Sequence, residues 1–377
     1  MAKSLPKMIA NSILADYIDS GRVERGGRLP SIRDLQDVYS TSTVTLVQAI
    51  GLLEQWGIVE KKHGKGCYVK HTLEDTSQSH GNVPNMLGFI VPTTASSAEL
   101  LMRTYTGVEK TCRRHGYHVV IMNSNSDYDT ERKHIQSMMN MGCKGIVLYP
   151  TVRSREQLEH DYLKTEFADF PLVLVDMAYP EQGHSQVVFD NYHAGYEITS
   201  HLLKQGYKRV FIMKANSTEK YYMHQSFHER FKGYADALAD WNIPVDPANI
   251  VEIRIPTADD VDDLVLQEVT RIVSKIKDEP EIRTGLIAIQ DIAAVSAISL
   301  ARELGIRIPD HLKVVGFDNL SSAQSFTPEF DTTCPDFERA GSLAAQILIN
   351  QVREQKKRPV IYLLDVPVKH RKSVSSR

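Results

Sequence analysis

Cysteine and tryptophan are scarce, with four and two among 377 residues. Cys67, Cys112, Cys143 and Cys334 stand far apart in the chain, so they suggest neither a disulfide framework nor a paired-thiol metal site, and a reducing compartment is expected. Cys112 and His115 have a metal-like spacing, but no second pair accompanies them; no metal and no cofactor is expected. No run of about 18 apolar residues occurs, so no helical membrane span is expected. Asp16 and Asp19 interrupt the N-terminal apolar pattern, which does not suit a secretory segment, and a cytoplasmic protein is expected. The phosphate-cradling G-x-x-x-x-G-K-[ST] and G-x-G-x-x-G loops and the G-x-S-x-G nucleophile element are missing as well. Charge of one sign is not in excess overall, with 44 Lys and Arg against 47 Asp and Glu.

The charge that is present is unevenly placed. Residues 1–71 hold ten Lys or Arg against seven Asp or Glu, and the remaining residues are acidic by six. A small basic module on an acidic body fits a nucleic-acid-binding head on a ligand-binding domain. Within the head, Ile9, Ile13 and Tyr17 recur at helical spacing over residues 6–20, followed by Gly21. Ser31 with Asp34 three residues on predicts a capping box opening a short helix that ends near Tyr39. Ser40-Thr41-Ser42 then caps a third helix over about 43–56. Leu46, Ile50 and Leu53 form its apolar face, and Val44, Val47, Gln48 and Gly51 lie on the other side. That second face suits a helix lying in a groove, or one buried on both sides. Residues 57–70 read as two short strands around a Gly-rich turn. Three helices and a hairpin make a winged helix-turn-helix.

Leu29-Pro30-Ser31-x-Arg33-x-Leu35, then Ser42, then Leu53-Glu54-x-x-Gly57-Ile58, then Gly64-x-Gly66-x-x-Val69 resembles the DNA-binding domain of GntR-type bacterial regulators. The resemblance implies that Arg33 clamps a phosphate or base and that the third helix enters the major groove through Ser42, Thr43, Val44, Thr45 and Val47. It further implies that the wing, with His63, Gly64 and Lys65, reaches the minor groove. Arg28, Lys61 and Lys62 are further candidate phosphate anchors, and each is equally readable as a solvated surface charge. One departure stands out. The family usually carries Arg where this chain has Thr43 and Val47, so an operator half-site richer in A·T is expected.

Residues 72–85 have linker composition. From residue 86 onward, short apolar runs alternate with amphipathic helices, the pattern of a parallel α/β sheet. Strands are expected at 87–91, 117–122, 145–149, 172–176, 186–189, 209–213, 250–253, 285–289 and 314–317, with Gly116, Gly142, Gly206 and Gly305 ending helices between them. The blocks Asp190-Asn191-x-x-Ala194-Gly195, Glu229-Arg230-x-x-Gly233-Tyr234, Gln290-Asp291-x-x-Ala294 and Val314-Val-Gly-Phe-Asp318-Asn319 resemble the effector-binding domain of LacI/GalR-type repressors, itself similar to periplasmic sugar-binding proteins. The pairing of head and body is similar to arabinose-repressor-type regulators. The expected fold is therefore α/β: an N-terminal winged helix-turn-helix (1–71), a linker (72–85) and a two-lobed periplasmic-binding-protein-like effector domain (86–377). Lobe 1 is expected at about 86–185 plus 321–332, and lobe 2 at about 186–320 plus 333–377.

Ligands of open α/β sheets bind beyond the carboxyl ends of strands. A carboxylate can accept from two adjacent sugar hydroxyls and a guanidinium can donate to two oxygens. The resemblance maps such groups onto Asp291, Arg230 and Asp176; helix N-caps or a mutual ion pair between lobes are the other readings. Tyr149 either stacks on a sugar face or packs in the core; the family's aromatic pair aligns near Leu100 and Leu101, and the polar loop from Thr93 to Ser97, with Glu99, is expected to replace its contacts. The expected function is a bacterial transcription regulator, a repressor of carbohydrate-use genes acting as a homodimer on double-stranded operator DNA. Its effector is expected to be a small sugar, with L-arabinose and L-fucose as named candidates. The alternative is a sugar-processing enzyme carrying a DNA-binding head, for which Asp176 and Asp291 would be the carboxylate pair.

Overall fold

The computed structural model describes residues 5–19, 22–24, 26–55, 58–62, 66–70, 85–92, 98–177, 183–215, 225–253, 261–355 and 358–371. The chain divides into two compact units, Met1–Pro84 and Asn85–Arg377. In the first unit α1 (Leu5–Ile13) runs on as a π-helical turn through Leu14–Asp19, followed by α2 (Ile32–Tyr39) and α3 (Thr43–Gln55). The expected capping box opens α2: Asp34 N–H donates to Ser31 Oγ, and Ser31 N–H donates back to the Asp34 carboxylate at 3.0 Å. Strands β1 (Val59–Lys62) and β2 (Gly66–Val69) pair antiparallel, with Val59 opposite Val69. Arg28 bridges to Tyr68 on the free side of β2, and Leu29 N–H donates to the Cys67 carbonyl. Ile9, Ile13, Leu35, Leu46, Ile50, Leu53 and Val69 close the core of this small unit.

The second unit holds two six-stranded sheets. The first contains β3 (Met86–Val91), β4 (His118–Asn123), β5 (Ile146–Leu148), β6 (Leu172–Val175), β7 (Ser185–Phe189) and β13 (Ile361–Leu364), in the order β13-β7-β6-β5-β3-β4 and wholly parallel. The second contains β8 (Arg209–Ala215), β9 (Ile250–Ile253), β10 (Thr284–Ile287), β11 (Leu312–Gly316), β12 (Asp331–Thr333) and β14 (Val368–Lys369), in the order β14-β12-β11-β10-β8-β9. Only β14 runs antiparallel to its neighbour. The intervening helices are α4 (Ala98–Arg114), α5 (Tyr128–Asn140), α6 (Arg155–Glu159), α7 (Tyr162–Thr165), α8 (Asn191–Lys204), α9 (Gln225–Asp240), α10 (Val261–Asp278), α11 (Asp291–Glu303), α12 (Ser321–Ser325) and α13 (Phe337–Glu354). The chain crosses between lobes three times, after β7, β12 and β13.

These crossings correct the expected division into lobes. Strand β7 belongs to the first sheet, residues 321–332 belong to the second lobe, and α13 with β13 returns to the first. The reason is pairing: β13 buries its backbone hydrogen bonds against β7, while β12 extends the second sheet beside β11.

Each lobe is tied by one pair of helices in close approach. In lobe 1 a Cβ on Gly107 would lie 1.9 Å from the Glu338 carbonyl oxygen, and one on Gly341 would lie 2.0 Å from that of Thr104, so α4 and α13 touch backbone to backbone. In lobe 2 Gly195 meets the Arg230 carbonyl at 2.2 Å and Gly233 meets that of Tyr192 at 2.1 Å, locking α8 to α9. Backbone oxygens cannot rotate aside, so Gly195→Ala must part the two helices. Overpacking of this kind costs about 1–3 kcal/mol, and a melting temperature lower by roughly 2–10 °C is expected. The same change at Gly51 of α3, where a Cβ meets nothing within 4 Å, should instead raise stability by about 0.5–1 kcal/mol. Thermal melts of both variants check the contrast.

Candidate functional site

Between the lobes of the second unit lies a cavity of about 220 Å³. Its polar wall is made at the carboxyl ends of strands: Tyr149 follows β5, Asp176 follows β6, Gln290 follows β10 and Asp318 follows β11. Asn191 and Arg230 enter from α8 and α9, and Phe189, Phe227 and Phe337 supply apolar surface. Lobe 1 thus contributes one carboxylate and lobe 2 the other.

Both carboxylates sit on strained backbone. Asp176 has φ +69° and Asp318 φ +88°, a region non-glycine residues enter at a cost of about 1–3 kcal/mol. The Tyr149 hydroxyl donates to the Asp176 carboxylate. Burial, and after it the Asp176 charge, holds the Tyr149 hydroxyl well above its ordinary range, so it stays a donor. Arg230 donates from Nε to Asn191 Oδ1 at 2.8 Å and from Nη1 to the Ile289 carbonyl at 3.1 Å. Its Nη2 lies 3.7 Å from Asp318 Oδ1, and its guanidinium carbon sits 3.9 Å from the centre of the Phe317 ring. Burial raises the Asp318 carboxyl to about 6, with Arg230 pulling it down and Asp176 pushing it up. The result is a pocket in which two carboxylates face one buried guanidinium.

Asp291, expected among the ligand contacts, lies behind this wall. It is fully buried; Oδ2 accepts from the Leu320 N–H at 2.7 Å and Oδ1 from the Thr332 hydroxyl. Its neighbour Gln290 faces the cavity instead. Burial raises the Asp291 carboxyl to about 7 against those two hydrogen bonds. Ser97 lies outside the described residues. Glu99 is directed away from a ligand role: it accepts from the Ser321 N–H and hydroxyl and pairs with Arg103, which donates to the carbonyls of Asp318 (3.4 Å) and Asn319 (2.9 Å). Helix α4 of lobe 1 therefore grips the very loop of lobe 2 that carries Asp318. Sequence reasoning missed Asp318 and Asn191 as pocket residues, although both lay inside blocks already noted.

A second buried arrangement supports the floor. Arg153, with no exposed surface, binds Asp161 Oδ2 at 2.8 Å, Glu131 Oε1 at 2.6 Å and the Thr151 carbonyl at 2.6 Å. Glu131 also accepts from the Thr151 N–H at 2.6 Å. This network fixes the Pro150–Thr151 edge of the cavity. Among the described residues, His201, Asp331 and His370 form a group with metal-like spacing, but the Lys313 ammonium already lies 2.8 Å from Asp331 Oδ2.

In the first unit, α3 presents the other candidate surface. Leu46, Ala49, Ile50 and Leu53 are buried, whereas Thr43, Val44, Val47 and Gln48 are exposed, Val44 at 67% and Val47 at 45%. Ser42 Oγ accepts from the Thr45 N–H at 3.2 Å and lies 2.9 Å from Thr45 Oγ1, so these two hydroxyls cap the helix. Arg33 is exposed in the first turn of α2. Lys61 pairs with Glu54 and Lys62 with Glu60, each at 2.9 Å. His63, Gly64 and Lys65 lie outside the described residues.

Comparison with known proteins adds to this geometry. Residues 85–372 match the family described as periplasmic binding proteins and sugar binding domain of LacI family, and residues 7–69 match bacterial regulatory proteins of the gntR family. The chain is similar to an arabinose metabolism transcriptional repressor of Halalkalibacterium halodurans, 24% identical over 88% of this chain and 85% of that protein. It is also similar to the HTH-type transcriptional repressor PurR of Pasteurella multocida, 23% identical over 78% of this chain and 83% of that protein. A solved LacI-type regulator of Alkaliphilus metalliredigens, complexed with D-xylulofuranose, superposes with TM-score 0.61 at 18% identity, over 78% of this chain and 100% of that one. That likeness concerns the fold.

The raised Asp291 carboxyl has a definite sign in stability. Its ordinary value is 3.8 and its folded value about 7, so the folded state holds the proton more tightly. Stability from this group is therefore lost as pH rises from about 4 to 7 and is level above that. An amide mimics the protonated acid: its oxygen can accept from Leu320 and its nitrogen can donate to Thr332. Asp291→Asn should flatten the fall in stability between pH 4 and 7 relative to the parent. Denaturant titrations across that range check it, and an unchanged slope would contradict the assignment.

Proposed function

Since the chain belongs to the family of periplasmic binding proteins and sugar-binding domains of LacI-type regulators, with a gntR-type module at residues 7–69, we propose that it is a bacterial transcription repressor whose grip on operator DNA is set by a small polyhydroxylated effector. The observation that carries this reading is the convergence of Asp176 from one lobe and Asp318, Arg230, Asn191 and Gln290 from the other on one small cavity. Carboxylates facing a buried pocket call for donors, and adjacent hydroxyls are donors that also accept from a guanidinium. L-Arabinose and L-fucose are the first candidates, in keeping with the arabinose-metabolism relative.

An effector touching both lobes binds the closed arrangement better than the open one. It can shift the DNA-competent population only by that difference, and operator DNA must weaken effector binding by the same factor. Asp176 and Asp318 contact the ligand in this reading, Arg230 orients it, Tyr149 holds Asp176, and Asp291 supports the loop at Leu320. The head would engage double-stranded operator DNA through α3, Arg33 and the wing, as one half of a homodimer on two related half-sites in the bacterial cytoplasm. An enzymatic alternative has no observation favouring it.

A thermal-shift screen of neutral monosaccharides tests the reading. At a hundredfold excess over Kd a ligand adds about 2.7 kcal/mol, which should raise the melting temperature by roughly 5–10 °C. Arg230→Ala and Asp318→Asn should each abolish the shift and the effector response while leaving operator binding intact. If no sugar shifts the folded parent protein, the effector class is wrong.

A further inference from the structure

Helix α3 has an unusual chemical surface for a groove-reading helix. Over Thr43–Gln55 the sequence is TVTLVQAIGLLEQ, with neither lysine nor arginine and one charge, Glu54. At 100° per residue, Val44, Val47, Gln48 and Gly51 share an arc of about 100°, opposite the buried arc of Leu46, Ala49, Ile50 and Leu53. Val44 and Val47 are exposed at 67% and 45%, although valine ordinarily seeks the interior. Gly51 continues the stripe with open space where a side chain would be. The hydroxyls of Ser42 and Thr45 are engaged in capping. The outward stripe is thus methyl groups, one carboxamide and bare backbone.

Major-groove chemistry matches each of these. Guanine is read chiefly by bidentate Arg or Lys, which this helix lacks. The thymine 5-methyl is read by apolar contact, and adenine N6/N7 by a bidentate carboxamide. The absent side chain at Gly51 lets the helix backbone lie close to the duplex. We infer that α3 reads A·T pairs in the major groove, with Val44 and Val47 packed on thymine methyls and Gln48 on an adenine, and that thymine methyls supply the specificity of the half-site. The inference rests on the proposed DNA-binding role of this unit and names the base chemistry it recognises. Exposed Arg28 and Arg33 of the same unit suit the phosphates, which fix position without specifying sequence. Solvated valines on a helix otherwise packed on one side are then an apolar surface awaiting an apolar partner in the groove.

The test begins with the full-length protein and a pool of random duplexes. Selection is expected to return half-sites whose central steps are A·T. Deoxyuridine, which differs from thymidine only by the methyl, is then placed at each such position. Every contacted methyl removed should weaken binding about fourfold, the value of burying one methylene-sized group. In Val44→Ala and Val47→Ala protein the matching uracil penalty should vanish, giving a non-additive cycle that a structural role for the valines would not produce. Both valines are exposed, so these variants keep their fold, which a melt verifies. Gln48→Ala should relax discrimination at one adenine about fivefold or more. G·C-centred half-sites, or uracil penalties identical in parent and variants, overturn the inference while leaving DNA binding in place. Failure to enrich any duplex, with the melt showing folded protein, overturns the DNA-binding role as well.

Discussion

Charge balance inside the cleft is the constraint on which the rest of the second unit depends. Two aspartates from opposite lobes face one buried space, and burial drives the Asp318 carboxyl toward its neutral form. Arg230 is the cation that opposes this: it lowers the Asp318 carboxyl while Asp176 raises it. Arg230 in turn is held by Asn191, by the Ile289 carbonyl and by the Phe317 ring. Its own backbone carbonyl sits against Gly195, so the spacing of α8 and α9 fixes where the guanidinium can reach. The glycine contact and the ion cluster share Arg230 at one end of this helix pair and are therefore one device.

The same economy explains how the lobes communicate. Asp318 and Asn319 both have left-handed backbone, and their carbonyls turn toward Arg103 on α4 of the opposite lobe. Glu99, one turn earlier, caps the start of α12 through Ser321. Helix α4 is itself locked to α13 through Gly107 and Gly341. The loop carrying Asp318 is thus held by a closely packed pair of helices in lobe 1. The chain passes between the lobes at 190, 334–336 and 365–367.

Much of this was legible in the sequence, for identifiable reasons. Strands β3, β5 and β6 are apolar runs buried almost throughout, and such runs stand out against amphipathic helices. The capping box at Ser31 and the glycines ending helices before strands carry their own geometry in their residue types. Strands β12, β13 and β14 did not announce themselves, because Asp-Thr-Thr, Ile-Tyr-Leu-Leu and Val-Lys are short and two of the three are polar; their pairing decides lobe membership and is a tertiary fact. Missing them displaced residues 321–332, and Phe337–Glu354 with Ile361–Leu364, into the wrong lobes.

The site was half legible for a related reason. Strand ends can be read from periodicity, and Tyr149, Asp176 and Arg230, expected at the cleft, line the cavity. Which of two successive residues turns inward cannot, since one step along the chain rotates a side chain to the other face. At the start of α11 that step separates Gln290, which faces the cavity, from Asp291, which is consumed by Thr332 and Leu320. At the end of β11 positive φ at Asp318 swings its carboxylate into the pocket, a turn that residue identity does not encode because aspartate seldom adopts it. An acidic residue expected to meet the ligand thus became the scaffold for another. The carboxylate that faces the pocket is the one whose backbone is strained and whose loop is gripped from across the cleft, as expected where position is maintained against local preference.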